Sequence, residues 1–167
     1  KAFAVMSAAL AAVSIFMAFQ SEVNRQIATH NLFSRYGLLP GASLSFTLTD
    51  PLVIVGLFIG SLLPFYFSSF LIRAVGRAAF KMVNEVRRQF KDIPGIMEGT
   101  AKPDYARCVD ISTSAAIREL ASPALLAVAT PLVVGFVLGP LALGGLLIGS
   151  VVSGVFLAFM MTNGGAA

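Results

Sequence analysis

Long stretches without a formal charge dominate the chain and define its predicted elements. After Lys1 the next charged residue is Glu22, so residues 2–21 form an uncharged stretch of 20 residues. A second uncharged stretch of 22 residues covers 51–72, and a third, of 48 residues, covers 120–167. About 20 apolar residues in a helix cross the roughly 30 Å hydrocarbon core of a bilayer. The pattern therefore predicts membrane-spanning helices.

The third stretch is too long for one span, since a helix of that length would measure about 72 Å. Gly139-Pro140 divides it near its middle, and this dipeptide favours a turn. We therefore expect a hairpin of two spans, 121–138 and 141–162. Together with 2–21 and 51–72, this predicts four membrane spans.

The second span is expected to continue as a helix beyond the membrane. Pro51 after Asp50 suits the first helical position, and Pro64 lies inside the span, where a bilayer helix tolerates it. Basic residues then recur at helical spacing, and the pairs Lys81–Glu85 and Glu85–Arg88 lie within ion-pair reach. These features predict one helix from residue 51 to about residue 90, roughly 60 Å long.

Two polar segments separate the predicted spans. The first, 22–50, is expected to be an outer loop with a short helix over 22–33. The second, 91–111, contains Pro94-Gly95 and Lys102-Pro103-Asp104, which are typical of turns. Asp110 or Ser112 is predicted to cap the helix that follows.

Composition excludes the soluble classes. The chain is 57% hydrophobic and 12% charged, whereas a soluble domain carries about 25% charged residues. It therefore cannot cover itself with a water-compatible surface, which indicates an all-α, polytopic transmembrane helical bundle. The single Cys excludes a disulfide scaffold. The net charge of +4 fits basic cytoplasmic loops, so we expect no nucleic-acid partner, and we interpret the chain as a fragment of a longer polytopic protein.

The distribution of basic residues predicts the orientation. Nine of the twelve Lys and Arg residues lie between the second and third spans, whereas Arg25 and Arg35 alone lie in the first loop. The positive-inside rule therefore places the loop 91–111 and both chain ends in the cytoplasm.

Most candidate residues have a structural interpretation. Small residues four apart, in Gly56/Gly60, Gly145/Gly149 and Ser150/Gly154, indicate close helix packing rather than a ligand site. No charged residue lies inside a predicted hydrocarbon segment, so none of these segments supplies an ionisable proton relay. We assign no catalytic, substrate-binding or metal-ligating residue within the chain.

Isolated polar residues support this assignment. His30 has no second His or Cys nearby, and Cys108 has no positioned His, so a zinc site and a nucleophile are both disfavoured. Ion pairs or helix caps account for the loop carboxylates better than a magnesium site does. The stripe Arg73, Arg77 and Lys81 is expected to meet lipid headgroups or acids on an absent segment. The loop carboxylates are Asp92, Glu98, Asp104 and Asp110.

The segment between the second and third spans resembles the membrane-bound, ion-translocating pyrophosphatases. The resemblance is carried by residues 75–79, 82–90, 93–98, 102–105, 108–113 and 117–119, and less sharply by 1–4 and 7–10. It extends over the last two spans and leaves only the loop from about Glu22 to Thr49 without a match. Residues 163–167 match the approach to the family's last motif, with Ala166 where Gly is more usual.

The resemblance implies a homodimer of about sixteen spans per subunit in the inner (plasma) membrane of a prokaryotic cell. Such a pump hydrolyses magnesium pyrophosphate on its cytoplasmic side and moves protons or sodium ions outward. This chain would correspond to spans twelve to fifteen, with the first and fourth of its spans in an inner ring. The ligands of Mg²⁺ and the residue that determines K⁺ dependence would lie outside the chain.

One other interpretation fits the composition and the topology equally well. The chain could belong to a non-enzymatic membrane helical scaffold or a secondary-transporter segment with a basic cytoplasmic loop. Within the pyrophosphatase interpretation, we expect residues 73–88 to brace the hydrolytic part of the pump without touching substrate. Arg87 and Arg88 are the residues that test this expectation.

Overall fold

The computed structural model describes residues 2–32 and 39–164. Within these ranges it contains four helices and no strand: α1 Ala2–Thr29, α2 Pro51–Asp92, α3 Tyr105–Val137 and α4 Pro140–Gly164. Each helix is long and apolar enough to cross a membrane, by length and composition. The all-α class with four spanning helices is confirmed. Lys1, Arg35 and residues 165–167, which entered the sequence arguments, lie outside the described residues.

The polar segment after the first span continues α1 rather than starting a new helix. The Glu22 carboxylate accepts hydrogen bonds from Arg25 Nε at 2.8 Å and from Gln26 Nε2 at 2.7 Å. These contacts lie three and four residues apart, so they stabilise a continuous helix. The helix expected over 22–33 is confirmed for residues 22–29, which form the end of α1, whereas residues 30–32 are not helical and Phe33 lies outside the described residues.

The loop 39–50 is fastened to α1 by one amide and one aromatic ring. Asn24 Oδ1 accepts a hydrogen bond from the Leu44 backbone N–H at 2.7 Å, and Leu44 is buried. The Phe46 ring lies 5.6 Å from the ring of Phe16 and 5.9 Å from that of Phe19. Such aromatic pairs add to the stabilisation from buried area, so this part of the loop has a defined place.

The predicted start and extent of α2 are confirmed. Asp50 Oδ1 accepts a hydrogen bond from the Leu52 N–H at 2.8 Å, and Pro51 is the first helical residue. The helix runs through Pro64 to Asp92, two residues beyond the predicted end.

The turn between α3 and α4 also follows the sequence prediction. Gly139 has a φ of +87°, a left-handed conformation that glycine adopts without a Cβ penalty. Pro140 then begins α4.

The start of α3 differs from the prediction. This helix begins at Tyr105, and Asp104 Oδ1 accepts a hydrogen bond from the Arg107 N–H at 3.0 Å. Asp104 is therefore the helix cap. The cap predicted at Asp110 or Ser112 is wrong, because both residues lie inside α3, and the Ser112 hydroxyl donates to the Cys108 carbonyl at 3.2 Å.

The chain divides into two compact units. The first contains the described residues up to Tyr66 and those from Ala129 onward, and in it α1 packs against α4. Its core is built around Val134, Ala142 and Leu146. The second unit is Phe67–Val128, which holds the end of α2, the loop 93–104 and the start of α3.

Glycines bring the backbones of α2 and α4 together in the first unit. A methyl group added at any of four glycines would collide with backbone atoms of the facing helix. Close backbone approach of this kind is how small residues four apart pack membrane helices. The packing role expected for Gly56/Gly60 and Gly145/Gly149 is therefore confirmed. The facing pairs are Gly56 with Ala142, Gly60 with Leu146, Gly145 with Val53, and Gly149 with Leu57.

Candidate functional site

The second unit contains two buried polar side chains one helical turn apart near the end of α2. Glu85 is 7% exposed and Gln89 is 4% exposed. Buried polar groups cost free energy unless they are hydrogen-bonded. The hydrogen-bond partners of these two residues therefore show how the turn between α2 and α3 is held together.

Gln89 uses its whole side-chain amide. Its Oε1 accepts a hydrogen bond from the Asp104 N–H at 2.9 Å, and its Nε2 donates to the Asp104 carbonyl at 3.0 Å. The same Nε2 donates to Glu85 Oε1 at 3.0 Å and lies 3.6 Å from Cys108 Sγ. One side chain on α2 thus holds a backbone unit 15 residues further along the chain.

Glu85 is held as a charged carboxylate. Arg88 donates to it through Nη2 at 2.7 Å and Nε at 3.0 Å, a two-pronged geometry that strengthens the pair. These hydrogen bonds, followed by the one from Gln89, lower the pKa of Glu85 to about 2. Arg88 also reaches Asp92 at 3.4 Å. The predicted Glu85–Arg88 pair is confirmed. Both acids that pair with Arg88 therefore lie on α2, the helix that carries Arg88 itself.

The loop 93–104 is closed on itself before it reaches this network. The Gly95 carbonyl accepts hydrogen bonds from the Thr100 N–H at 2.9 Å and from the Ala101 N–H at 3.1 Å. Gly95 and Gly99 have φ values of +89° and +75°, which L-residues with a Cβ rarely adopt. The compact loop therefore places Asp104 next to Gln89 and at the start of α3.

A second link joins α2 and α3 within the same unit. Arg77 donates from Nε to Glu119 Oε1 at 3.0 Å and from Nη2 to Glu119 Oε2. Arg73 instead donates from Nε to the Ser69 carbonyl, with its guanidinium 5.2 Å from the ring centre of Phe70. For Arg77 the expected acid on an absent segment is wrong, because its partner Glu119 lies on α3 of this same chain. The expected contact with lipid headgroups stays a prediction.

The remaining candidate residues do not converge. Glu98 is exposed in the loop, Asp110 is exposed on α3, and the His30 N–H continues the α1 hydrogen-bond pattern to Gln26. Within residues 2–32 and 39–164, no three His, Cys, Asp or Glu side chains come close enough to hold a metal ion. The described residues therefore do not by themselves provide a cluster of carboxylate ligands for Mg²⁺.

Gln89 is the residue that sequence reasoning missed. Its spacing of four from Glu85 is visible in the sequence, and such a pair can hydrogen-bond along a helix. Its second partner, the Asp104 backbone, is not visible, because it depends on how the loop folds.

Four long apolar helices with their charges gathered in one segment define a polytopic membrane protein. Within that class, the chain matches the inorganic H⁺ pyrophosphatase family over residues 1–167 and belongs to this family. The resemblance inferred from the sequence is confirmed.

Curated relatives align with the whole chain. It is 49% identical to a K⁺-insensitive pyrophosphate-energized proton pump of Methanosarcina mazei and 47% identical to one of Chloroflexus aurantiacus. It is 44% identical to a K⁺-stimulated pyrophosphate-energized sodium pump of Thermotoga maritima. The chain spans 22%, 21% and 22% of the lengths of these three relatives, respectively.

Proposed function

We propose that this chain is part of a primary pump that couples hydrolysis of magnesium pyrophosphate to outward movement of protons or sodium ions. The observation that carries the proposal is the match of all 167 residues to the pyrophosphatase family. Relatives named as proton pumps and as a sodium pump are similar in identity, at 49% and 44%. The proposal therefore includes both ions.

The part played by this chain is structural support for hydrolysis and transport. Six of its eight carboxylates pair with arginines or cap helices. In this proposal the Mg²⁺ ligands and the catalytic residues belong to the rest of the polypeptide. The helices supply four of the membrane spans, and the linked turn between α2 and α3 braces the cytoplasmic side. In this proposal the loop 93–104 is cytoplasmic.

The assembly extends beyond this chain. We propose a homodimer in the inner membrane of a prokaryotic cell, with pyrophosphate as substrate, Mg²⁺ as the cofactor and K⁺ as a possible activator. The K⁺ effect follows a relative that is named K⁺-stimulated. The vesicle assay that identifies the transported ion also tests whether K⁺ activates the pump.

The test uses inverted membrane vesicles that contain the full-length polypeptide carrying this chain. Pyrophosphate with Mg²⁺ is expected to release phosphate and to drive uptake of either protons, seen by a pH-sensitive dye, or ²²Na⁺. Omitting Mg²⁺ is the matched control, and adding K⁺ tests activation. Vesicles that neither hydrolyse pyrophosphate nor accumulate an ion would contradict the proposal and favour the non-enzymatic scaffold.

A further inference from the structure

We propose that Gln89 is a positioning residue that locks the turn between α2 and α3, so that the end of α2 and the start of α3 move together during pumping. The inference rests on the proposed pump function and deepens it. It assigns a role in transmitting motion to a side chain that lies outside any substrate or metal site in the described chain.

The geometry of Gln89 is that of a lock rather than a surface contact. Its amide pairs with both the N–H and the carbonyl of Asp104, at 2.9 and 3.0 Å, and such paired contacts fix distance and orientation together. Because Asp104 also caps α3, the first turn of α3 is tied directly to α2. The hydrogen bonds that close the loop between Gly95 and Ala101 also restrict the segment that connects α2 to α3.

The same network is poorly placed to bind substrate. Gln89 is 4% exposed, so a dissolved anion cannot reach its amide within this unit. Arg88, the cation beside it, is already engaged by Glu85 and Asp92. Removing the Gln89 amide should therefore leave substrate binding intact and loosen the link between the helices.

The experiment compares Gln89→Ala with the wild-type full-length pump in vesicles. We expect the KM for magnesium pyrophosphate to stay within about twofold, because uniform substrate binding is untouched. We expect the ions moved per pyrophosphate hydrolysed to fall by about fivefold, within the usual range of mutational effects on coupling. Asn84→Ala is the matched control, since it removes an exposed amide from the same helix, and its ratio should equal that of the wild type.

A second variant gives a readout that loss of stability alone does not produce. In Gln89→Glu the protonated side chain keeps one donor for the Asp104 carbonyl, whereas the ionised form has none and repels Glu85. At each pH, the number of ions moved per pyrophosphate hydrolysed is measured for this variant and for the wild type. The value for the variant relative to the wild type should rise as the pH falls. The Gln89→Ala ratio should stay low throughout.

The outcomes separate the two proposals. A wild-type protein that hydrolyses no pyrophosphate would overturn the pump function and this inference with it. A pumping wild type with an unchanged ratio in Gln89→Ala would overturn the lock alone. Equal loss of hydrolysis and transport in Gln89→Ala, with a lower melting temperature, would show a merely structural role and would also overturn the lock.

Discussion

At the residue scale, Glu85 shows how this protein keeps a carboxylate charged while it is buried. An unpaired buried charge is strongly destabilising, so a charged group in this position needs an opposite charge and hydrogen bonds. Arg88 supplies the charge and two donors, and Gln89 supplies a third donor. The pair Glu85–Arg88 could be predicted from the spacing of three residues, because both partners lie on one helix.

The pKa of Glu85 gives a pH dependence with a defined sign. The native state lowers this pKa from 4.5 to about 2, so the stabilisation is present above pH 4.5 and is lost as the pH falls toward 2. In the full-length protein, Glu85→Gln should lower the melting temperature by a few degrees at pH 7. The difference from the wild type should shrink below pH 4.5. Glu98→Gln, which changes an exposed loop carboxylate, should show no difference, and a similar loss in both variants would contradict the assignment.

At the element scale, the crossing of α2 and α4 depends on the absence of side chains. Gly145 faces the backbone of Val53, so Gly145→Ala should force the helices apart and destabilise the protein by about 1–3 kcal/mol or more. Gly76→Ala is the control, because nothing lies within 4 Å of its added methyl. That substitution should stabilise α2 by about 0.5–1 kcal/mol. Thermal unfolding in detergent measures both changes, and equal stability of the two variants would argue against close packing at Gly145.

The helices show which elements sequence patterns determine. The extent of α2 and the break between α3 and α4 follow from neighbouring residues, namely Asp50-Pro51 at the start of α2 and Gly139-Pro140 at the break. The start of α3 does not, because Asp104 is held as its cap by Gln89 from another helix. The residue types of Asp110 and Ser112 suit a helix cap, so the sequence favours them. The contact that holds Asp104 at the cap comes from another helix and is not visible in the sequence. The candidate site at this turn was missed for the same reason.

At the scale of the whole molecule, the nine-to-two imbalance of basic residues predicts which loop faces the cytoplasm. In a background with Cys108→Ser, Lys102→Cys and Ser43→Cys place one thiol in each connecting loop at exposed positions. In sealed inverted vesicles, a membrane-impermeant maleimide should label the first variant and not the second. Right-side-out vesicles should give the opposite pattern. Labelling of Lys102→Cys in right-side-out vesicles would show that the orientation is the opposite of the predicted one.

The charges of the whole chain also predict what it can do by itself. It has eight acidic residues. Three of the glutamates are engaged by arginines, and Asp104 caps α3. In the proposed function, hydrolysis uses metal ions held by clustered carboxylates, as metal-assisted phosphoryl transfer commonly does. Among the described residues, no three His, Cys, Asp or Glu side chains come close enough to hold a metal ion. The 167-residue chain purified alone should therefore release no phosphate from magnesium pyrophosphate above the spontaneous rate.

This prediction distinguishes a supporting part from a self-sufficient enzyme. The isolated chain should first be shown by circular dichroism to retain its helices in detergent, so that inactivity is not explained by unfolding. The full-length pump in the same detergent is the positive control. Magnesium-dependent phosphate release that scales with the concentration of the isolated chain would contradict the prediction. It would also mean that the carboxylates regroup around metal, because their present partners are the arginines and backbone groups that a metal site would have to displace.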